Sequence, residues 1–215
     1  PAQPVNLPII MKTDVTRASI APIRATDTWL SGTTPRVTIS WDKPTARYTG
    51  TLIGYRVQMK INGVWVSLKS QTTASTRSYT TSTSYLKPGT LAEFRVAPIT
   101  KRYSTSYLGY YKSVSITPTT APKALSVLEV TNNLNNLEVS WTPYSSMLDK
   151  GGLEVSYQIE VTKNSDGSAL VCTPSAPNTC LTGNTASGAT YTAKLTATNA
   201  KGSVYVTKTV SVNVS

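Results

Sequence analysis

The chain has 215 residues, with 21 Lys and Arg against 10 Asp and Glu, two Cys and no His. That length supports one large or two ordinary domains, each able to bury its own core. Without His, the Ser-His and Cys-His triads, His-bearing zinc sites and most haem sites are excluded, so an enzyme is disfavoured before any motif is sought.

Residues 1–18 come first and carry the apolar Val5, Leu7, Ile9 and Ile10, interrupted by Pro8. Three readings stay open for them: a linker from an upstream domain, a strap along the next domain, or an assembly arm that packs on a neighbour or augments its sheet edge. A first strand is then expected near Ile20 to Thr28. Val37, Ile39 and Trp41 alternate with Thr38 and Ser40, and Tyr55, Val57 and Met59 alternate with Arg56, Gln58 and Lys60. A period of two marks strands with one buried face. Asn62-Gly63, before Val64-Trp65-Val66, accepts positive φ and predicts a two-residue hairpin turn, with Asn164-Ser-Asp166-Gly167 in the same role later. The last strand of this region is expected over Lys112 to Thr117. Pro118-Thr-Thr-Ala-Pro122 follows as a short, semi-stiff connector, and the next strand is expected over Lys123 to Val130.

Blocks recur in order. Val37-Thr-Ile-Ser-Trp41 returns as Leu137-Glu-Val-Ser-Trp141, Gly54-Tyr55 as Ser156-Tyr157, and Gly89 as Gly188, at offsets of 100, 102 and 99. Three blocks at nearly constant offset describe a duplicated domain of about 95 residues. We therefore expect an arm or linker over 1–18, domains over 19–118 and 123–215, and a connector over 119–122. Thr and Ser number 35 and 25, helix signals are missing, and turn residues separate strands every 8 to 12 positions. This predicts an all-β chain of two antiparallel β-sandwiches with about seven strands each. Charge divides with the copies: residues 1–120 carry fifteen basic and four acidic side chains, whereas residues 121–215 carry six of each. The whole net charge of +11 belongs to the first half.

The blocks resemble the fibronectin type III family over residues 19–214. Trp41 and Trp141 match its strand-B tryptophan, Tyr55 and Tyr157 its strand-C tyrosine, and Leu86-Lys-Pro88-Gly89-Thr90-Leu-Ala92 its Leu-x-Pro-Gly-Thr-x-Tyr corner. Gly188-Ala-Thr-Tyr191 is similar to the bacterial version of that corner. The first copy has Ala92 in place of the corner tyrosine and so lacks its hydroxyl-to-backbone hydrogen bond. The resemblance implies two immunoglobulin-like sandwiches of a bacterial or phage extracellular protein. Cys172 and Cys180 are eight residues apart across a Pro-containing turn. They suit a staple, which resembling bacterial domains carry at this point, or else are two buried thiols. A disulfide there is worth about 2–3 kcal/mol in the chain-entropy model and implies an oxidising compartment.

Chemistry finds little purchase. Asp14, Asp27, Asp42 and Glu93 fall on different elements without the spacing of an acid/base pair, and no calcium loop, phosphate loop or nucleophile elbow occurs. No cofactor or metal is expected. The strongest candidate for function is Lys101-Arg102-Tyr103-Ser-Thr-Ser-Tyr107-Leu-Gly-Tyr110-Tyr111-Lys112. In the resembling fold it forms the F–G loop and the start of strand G, a loop used for adhesion. Tyr offers rigid amphipathic area, Ser and Thr adaptable hydrogen bonds, and Lys and Arg affinity for anions. Lys101, Arg102, Tyr103, Tyr107 and Tyr110 are the candidate binding residues; the alternative is that the tyrosines merely cover the sheet.

Nucleic acid would suit interleaved Tyr and Arg, but a secreted sandwich seldom meets it, so an anionic glycan or polymer, or another protein, is the expected partner. No run of about 18 apolar residues is present, so no membrane insertion is expected. Pro1 opens no charged and apolar leader, and the chain reads as a mature secreted segment or a piece of a longer polypeptide. The leading expectation is a non-catalytic extracellular module, at a cell or virion surface, acting as spacer and contact. The alternatives are an accessory module of a secreted polysaccharide-degrading enzyme and a self-assembling filament or shell subunit that uses the arm.

Overall fold

The computed structural model describes residues 14–133 and 135–212. The assembly arm residues Val5, Leu7, Ile9 and Ile10 lie outside the described residues. The first copy contains β1 (Arg24–Asp27), β2 (Val37–Ser40), β3 (Thr51–Ile61), β4 (Val64–Lys69), β5 (Ser78–Thr81), β6 (Ala92–Arg102), β7 (Thr105–Leu108) and β8 (Lys112–Ile116). The second contains β9 (Leu128–Asn133), β10 (Asn136–Trp141), β11 (Ser156–Lys163), β12 (Ala169–Leu170), β13 (Cys172–Ala176), β14 (Thr179–Thr182), β15 (Thr190–Asn199) and β16 (Gly202–Ser211).

Strand order within the sheets fixes the fold class. In the first copy one sheet runs β1-β2-β5 and the other β4-β3-β6-β7, with β8 also on β6; in the second the sheets run β13-β14-β10-β9 and β12-β11-β15-β16. In each copy the second strand, which ends at or just before the Trp, and the third, which carries the Tyr, belong to different sheets. This is the connectivity of a type III sandwich. The chain is thus all-β, two immunoglobulin-like antiparallel sandwiches in tandem. Strand β9 starts at Leu128, later than the Lys123 that the sequence suggests, because Lys123 instead donates its amide to the Asp149 carbonyl at 2.9 Å.

The described residues divide into two compact units. One holds 14–25, Ile39–Tyr79 and Glu93–Val114; the other holds Thr26–Thr38, Thr80–Ala92 and 115–212. In the first unit the expected hairpin forms: Ile61 pairs with Val64, and Asn62 and Gly63 take φ of 50° and 82°. Trp41 and Tyr55 are buried with ring centroids 5.3 Å apart. The Arg77 guanidinium lies 5.4 Å from the Tyr55 ring centre and donates to the carbonyls of Ala74 and Thr76. Burial raises the Tyr55 hydroxyl pKa above its ordinary value.

In the second unit the alternation is strict. Tyr191, Ala193, Leu195 and Ala197 of β15 are buried against Leu137, Val139 and Val161, while the intervening Thr and Lys face outward. The Tyr191 hydroxyl accepts the Ala186 amide at 2.8 Å, closing the corner expected of this copy, and Gly188 has φ of 73°. The first copy keeps the same glycine geometry without the hydroxyl. Gly89 has φ of 72°, and the turn is held by the Leu86 amide on the Thr83 carbonyl (2.9 Å) and the Thr90 amide on the Lys87 carbonyl (3.2 Å). Cys172 and Cys180 form the disulfide between the paired strands β13 and β14, with Cα atoms 5.4 Å apart.

The connector also lies in this second unit and is hydrogen-bonded along its length. Pro118 accepts the Gly89 amide at 3.0 Å, and the Thr120 amide donates to the Gly151 carbonyl at 3.0 Å. The Asn199 side-chain amide donates to the Thr120 carbonyl (3.0 Å) and to the Lys150 carbonyl (2.8 Å). Gly89 and Gly152 meet backbone to backbone: a Cβ on Gly152 would stand 2.3 Å from the Gly89 nitrogen. At the centre is Asp27, whose side chain is 17% exposed. One carboxylate oxygen accepts from the Thr119 amide (3.0 Å) and hydroxyl (2.5 Å) and from Lys201 (3.1 Å), and the other from the Trp29 amide (3.2 Å). Burial pushes the pKa of this acid up, but the donors outweigh it and hold the acid below its ordinary value of 3.8.

A depressed carboxyl pKa contributes stability above the unfolded value, lost as pH falls through the folded one. Asp27→Asn is expected to cost about 1.5–3 kcal/mol at neutral pH, the range for hydrogen bonds to a charged group. That deficit should narrow as the pH falls below the unfolded carboxyl value. Urea unfolding at pH 7 and pH 3, with hydrogen exchange of the Thr119 amide as the local probe, checks it; an equal deficit at both would contradict the assignment.

Candidate functional site

All the candidate binding residues fall in the first compact unit. Arg102 pairs with Thr105, so the expected loop is a two-residue hairpin between β6 and β7 with only Tyr103 and Ser104 in its turn. Lys101 and Arg102 end β6, Tyr107 sits within β7, and Tyr110 follows it. The extra pairing of β7 explains why strand G appears in two pieces, β7 and β8, both on β6.

Tyr103 occupies the tip with φ of 54° and is 87% exposed. A tight hairpin favours Asn or Gly at positions of positive φ, and an ordinary side chain there costs about 1–2 kcal/mol. The tip therefore presents a large aromatic ring where the backbone would favour a small residue. Arg102 stands beside it, with its guanidinium 5.3 Å from the Tyr103 ring centre. Tyr110 is 58% exposed, and Tyr107 is half-buried.

Gly109 makes the break between β7 and β8. Its amide donates to the Pro98 carbonyl at 2.8 Å, and the next amide, of Tyr110, donates to Ala18 at 2.9 Å. A Cβ at Gly109 would lie 2.3 Å from the Ala18 oxygen and 2.7 Å from Pro98 Cγ. The segment before β1 thus crosses the hairpin base through buried Ala18. It is also tied to the connection between β2 and β3, where the Thr49 amide donates to the Thr16 carbonyl at 2.9 Å and the Thr16 amide to the Thr49 hydroxyl at 3.0 Å. On the same connection Gly50, at φ of 89°, approaches so closely that a Cβ would meet the Lys101 carbonyl oxygen at 2.4 Å. Arg17 and residues 106–111 line a surface groove of about 470 Å³. Arg17 and the 47–50 segment were missed by sequence reasoning, since they reach the hairpin through tertiary packing alone.

A second group was also missed. On the sheet, the Arg95 guanidinium lies over two aromatic rings, 4.3 Å from the centre of Trp65 and 4.0 Å from that of Tyr111. Its Nε donates to the Gln58 amide oxygen at 2.8 Å, and Gln58 donates in turn to the Ser67 hydroxyl at 3.2 Å. Gln58 and Arg95 are direct partners across β3 and β6. The members come from β3, β4, β6 and the segment before β8, which leaves no local motif to find.

Electrostatics separate the copies more sharply than the net charge does. All six lysines of the second copy are ion-paired: Lys123 with Asp149, Lys150 with Glu154, Lys163 with Asp166, Lys194 with Glu160, Lys201 with Asp27 and Lys208 with Glu129. The acid serving Lys201 is drawn from the first copy. What remains to offset the first copy's basic side chains is Asp42 and Glu93, with Asp42 on Arg24 at 3.4 Å and Glu93 on Lys60 at 2.9 Å.

No family model matches the chain, and no curated protein matches it. Solved structures with similarity include the FN1-FN3 domains of chicken CNTN1 (18% identity, 93% of this chain and 68% of that one, TM-score 0.38). A two fibronectin type-III domain segment from chicken tenascin has 11% identity over 93% of this chain and 100% of that one, with a TM-score of 0.37. The chicken interferon gamma receptor alpha chain has 14% identity over 93% and 98%, with a TM-score of 0.36. The fold assignment rests on the chain's own strand order and register.

Two substitutions separate the demands of this hairpin. Tyr103→Asn should raise stability by about 1 kcal/mol, because Asn tolerates positive φ. Gly109→Ala should lower it by about 1–3 kcal/mol, the scale of overpacking against backbone. Chemical denaturation of both variants checks the pair; a destabilised Tyr103→Asn would show that the ring contributes packing.

Proposed function

We propose that this chain is a non-catalytic extracellular surface module, of the kind carried by bacterial or phage surface proteins. Its basic first sandwich, over 19–118, is the contact domain for an anionic surface glycan or polymer. Its neutral, disulfide-stapled second sandwich, over 123–215, is the spacer. One observation carries the reading. The second copy pairs every lysine with an acid and draws Asp27 from the first, whereas the first keeps two other acids, Asp42 and Glu93, against thirteen basic side chains. A cationic surface of that excess attracts polyanions, in a manner that salt screens.

Within the contact domain the β6–β7 hairpin is the point of first contact. It presents Lys101 and Arg102 for charge, and Tyr103, Tyr107 and Tyr110 for area. A strained backbone under an exposed aromatic ring is the kind of local cost that persists where the ring serves a contact. The disulfide supports an oxidising, extracellular location.

The combined variant Arg102→Ala, Tyr103→Ala and Tyr107→Ala should bind an anionic-polymer array at least tenfold more weakly at low salt. Its residual binding should respond less to added NaCl than that of the parent, since a cationic contact is gone. Arrays of sulfated and carboxylated glycans and polyphosphate, read at two salt concentrations, provide the measurement. Parent-like binding by the variant at low salt would remove the hairpin from the site.

A further inference from the structure

We propose that Arg95 is a pre-formed oxoanion-binding fork on the sheet face of the first sandwich, separate from the hairpin tip, taking a carboxylate or sulfate group of an anionic oligosaccharide. This rests on the reading of the first sandwich as the anion-contacting domain, but on different atoms. A guanidinium has two faces and an edge. The Arg95 guanidinium lies over the rings of Trp65 at 4.3 Å and Tyr111 at 4.0 Å, and its Nε is held by Gln58 at 2.8 Å. Among the described residues nothing engages its two terminal nitrogens. Four N–H groups therefore remain in the guanidinium plane, and the two that point along the terminal edge, one from each nitrogen, match two oxygens of a carboxylate or sulfate.

The surrounding charges keep that edge available. Glu93 lies two residues away on β6, yet its carboxylate goes to Lys60 at 2.9 Å. Directly across the sheet from Arg95 stands Gln58, a neutral acceptor that fixes the guanidinium without neutralising it. A Glu at that position would have closed an internal ion pair. Contact with two rings and the Gln58 hydrogen bond also remove rotamer freedom before any ligand arrives, so less entropy is lost on binding than for an unconstrained arginine. If the stack served stability alone, the positive charge would be better answered by an acid; it is instead retained and aimed.

The test is a ¹H–¹⁵N titration that follows the Arg95 Nε–Hε and Trp65 indole cross-peaks. The probes are a heparin-derived tetrasaccharide, a hyaluronate-derived tetrasaccharide and inorganic sulfate. In the parent, at least one tetrasaccharide should move both cross-peaks saturably, and the preferred one tells sulfate from carboxylate. Arg95→Lys, which keeps the charge but loses the fork, should weaken that binding at least tenfold. Gln58→Glu should do likewise while retaining the parent's thermal unfolding midpoint, so that loss of binding is not loss of fold. The hairpin variant Arg102→Ala, Tyr103→Ala and Tyr107→Ala should leave the Arg95 shifts in place. Unmoved Arg95 and Trp65 cross-peaks with both tetrasaccharides, or parent-like affinity in Arg95→Lys, would overturn the proposal. In that event, binding that the hairpin variant still abolishes would leave the contact-domain reading intact, and binding absent from the parent altogether would remove both.

Discussion

Asp27 is the residue on which the second compact unit turns. Its carboxylate collects donors from β1's own exit, from the connector and from the turn after β15. Four donors on a mostly covered acid keep it ionised at any ordinary pH. Its other effect is arithmetic. An acid committed to Lys201 is withdrawn from the first copy, where acids are already scarce. The junction and the charge excess are thus two results of one placement. The two glycines beside it reinforce the point, for Gly89 and Gly152 are in backbone contact where no Cβ fits. A Pro-rich connector would be semi-stiff on composition alone; here its carbonyls at 118 and 120 are also hydrogen-bonded to neighbouring backbone and Asn199.

The hairpin shows how a fold can hold a residue that its local backbone disfavours. Tyr103 sits at positive φ because β6 and β7 are fixed in register around it: Ile99 pairs with Leu108, and Arg102 with Thr105. Register there leaves two residues for the turn and no freedom to choose a gentler one. The register is pinned in turn by Gly109, whose close approach to Ala18 and Pro98 ends β7. Each piece over-determines the next.

Much of this was legible in the sequence. The period of two located the buried Trp41–Tyr55 pair, Asn62-Gly63 gave the β3–β4 turn, and the tyrosine in Gly188-Ala-Thr-Tyr191 gave its corner, because each signal lies within a few residues of the structure it makes. The cysteine spacing left staple and free thiols open, and the fold resolved it as a disulfide across β13 and β14. Other features were not legible, for a common reason. The Arg95 stack draws on β4, β3, β6 and the turn before β8, and its members are spread from 58 to 111. Outward-facing residues of neighbouring strands meet by register, and register is set by pairing rather than by any local pattern. For the same reason a loop expected over 101–112 became a hairpin and a break. Tyr111, which stands in the 101–112 stretch next to the candidate Tyr110, has its partner sixteen positions earlier in Arg95.

The two copies also differ in what they do with a lysine. On the second sandwich each has an acid within 3.6 Å. Apart from Lys201 with the covered Asp27, these pairs have at least one exposed partner and contribute little stability, so their regularity is better understood as cancellation of field than as reinforcement of fold. On the first sandwich Arg24 and Lys60 are paired with Asp42 and Glu93, but Arg95 is fixed by Gln58 and two rings and Arg77 by backbone carbonyls. Neutral acceptors position a cation while preserving its charge, whereas acids position it by cancelling that charge. A single duplicated fold therefore carries different electrostatic assignments: every lysine of the second copy is answered with a carboxylate, whereas amides, carbonyls and rings hold Arg95 and Arg77 in the first.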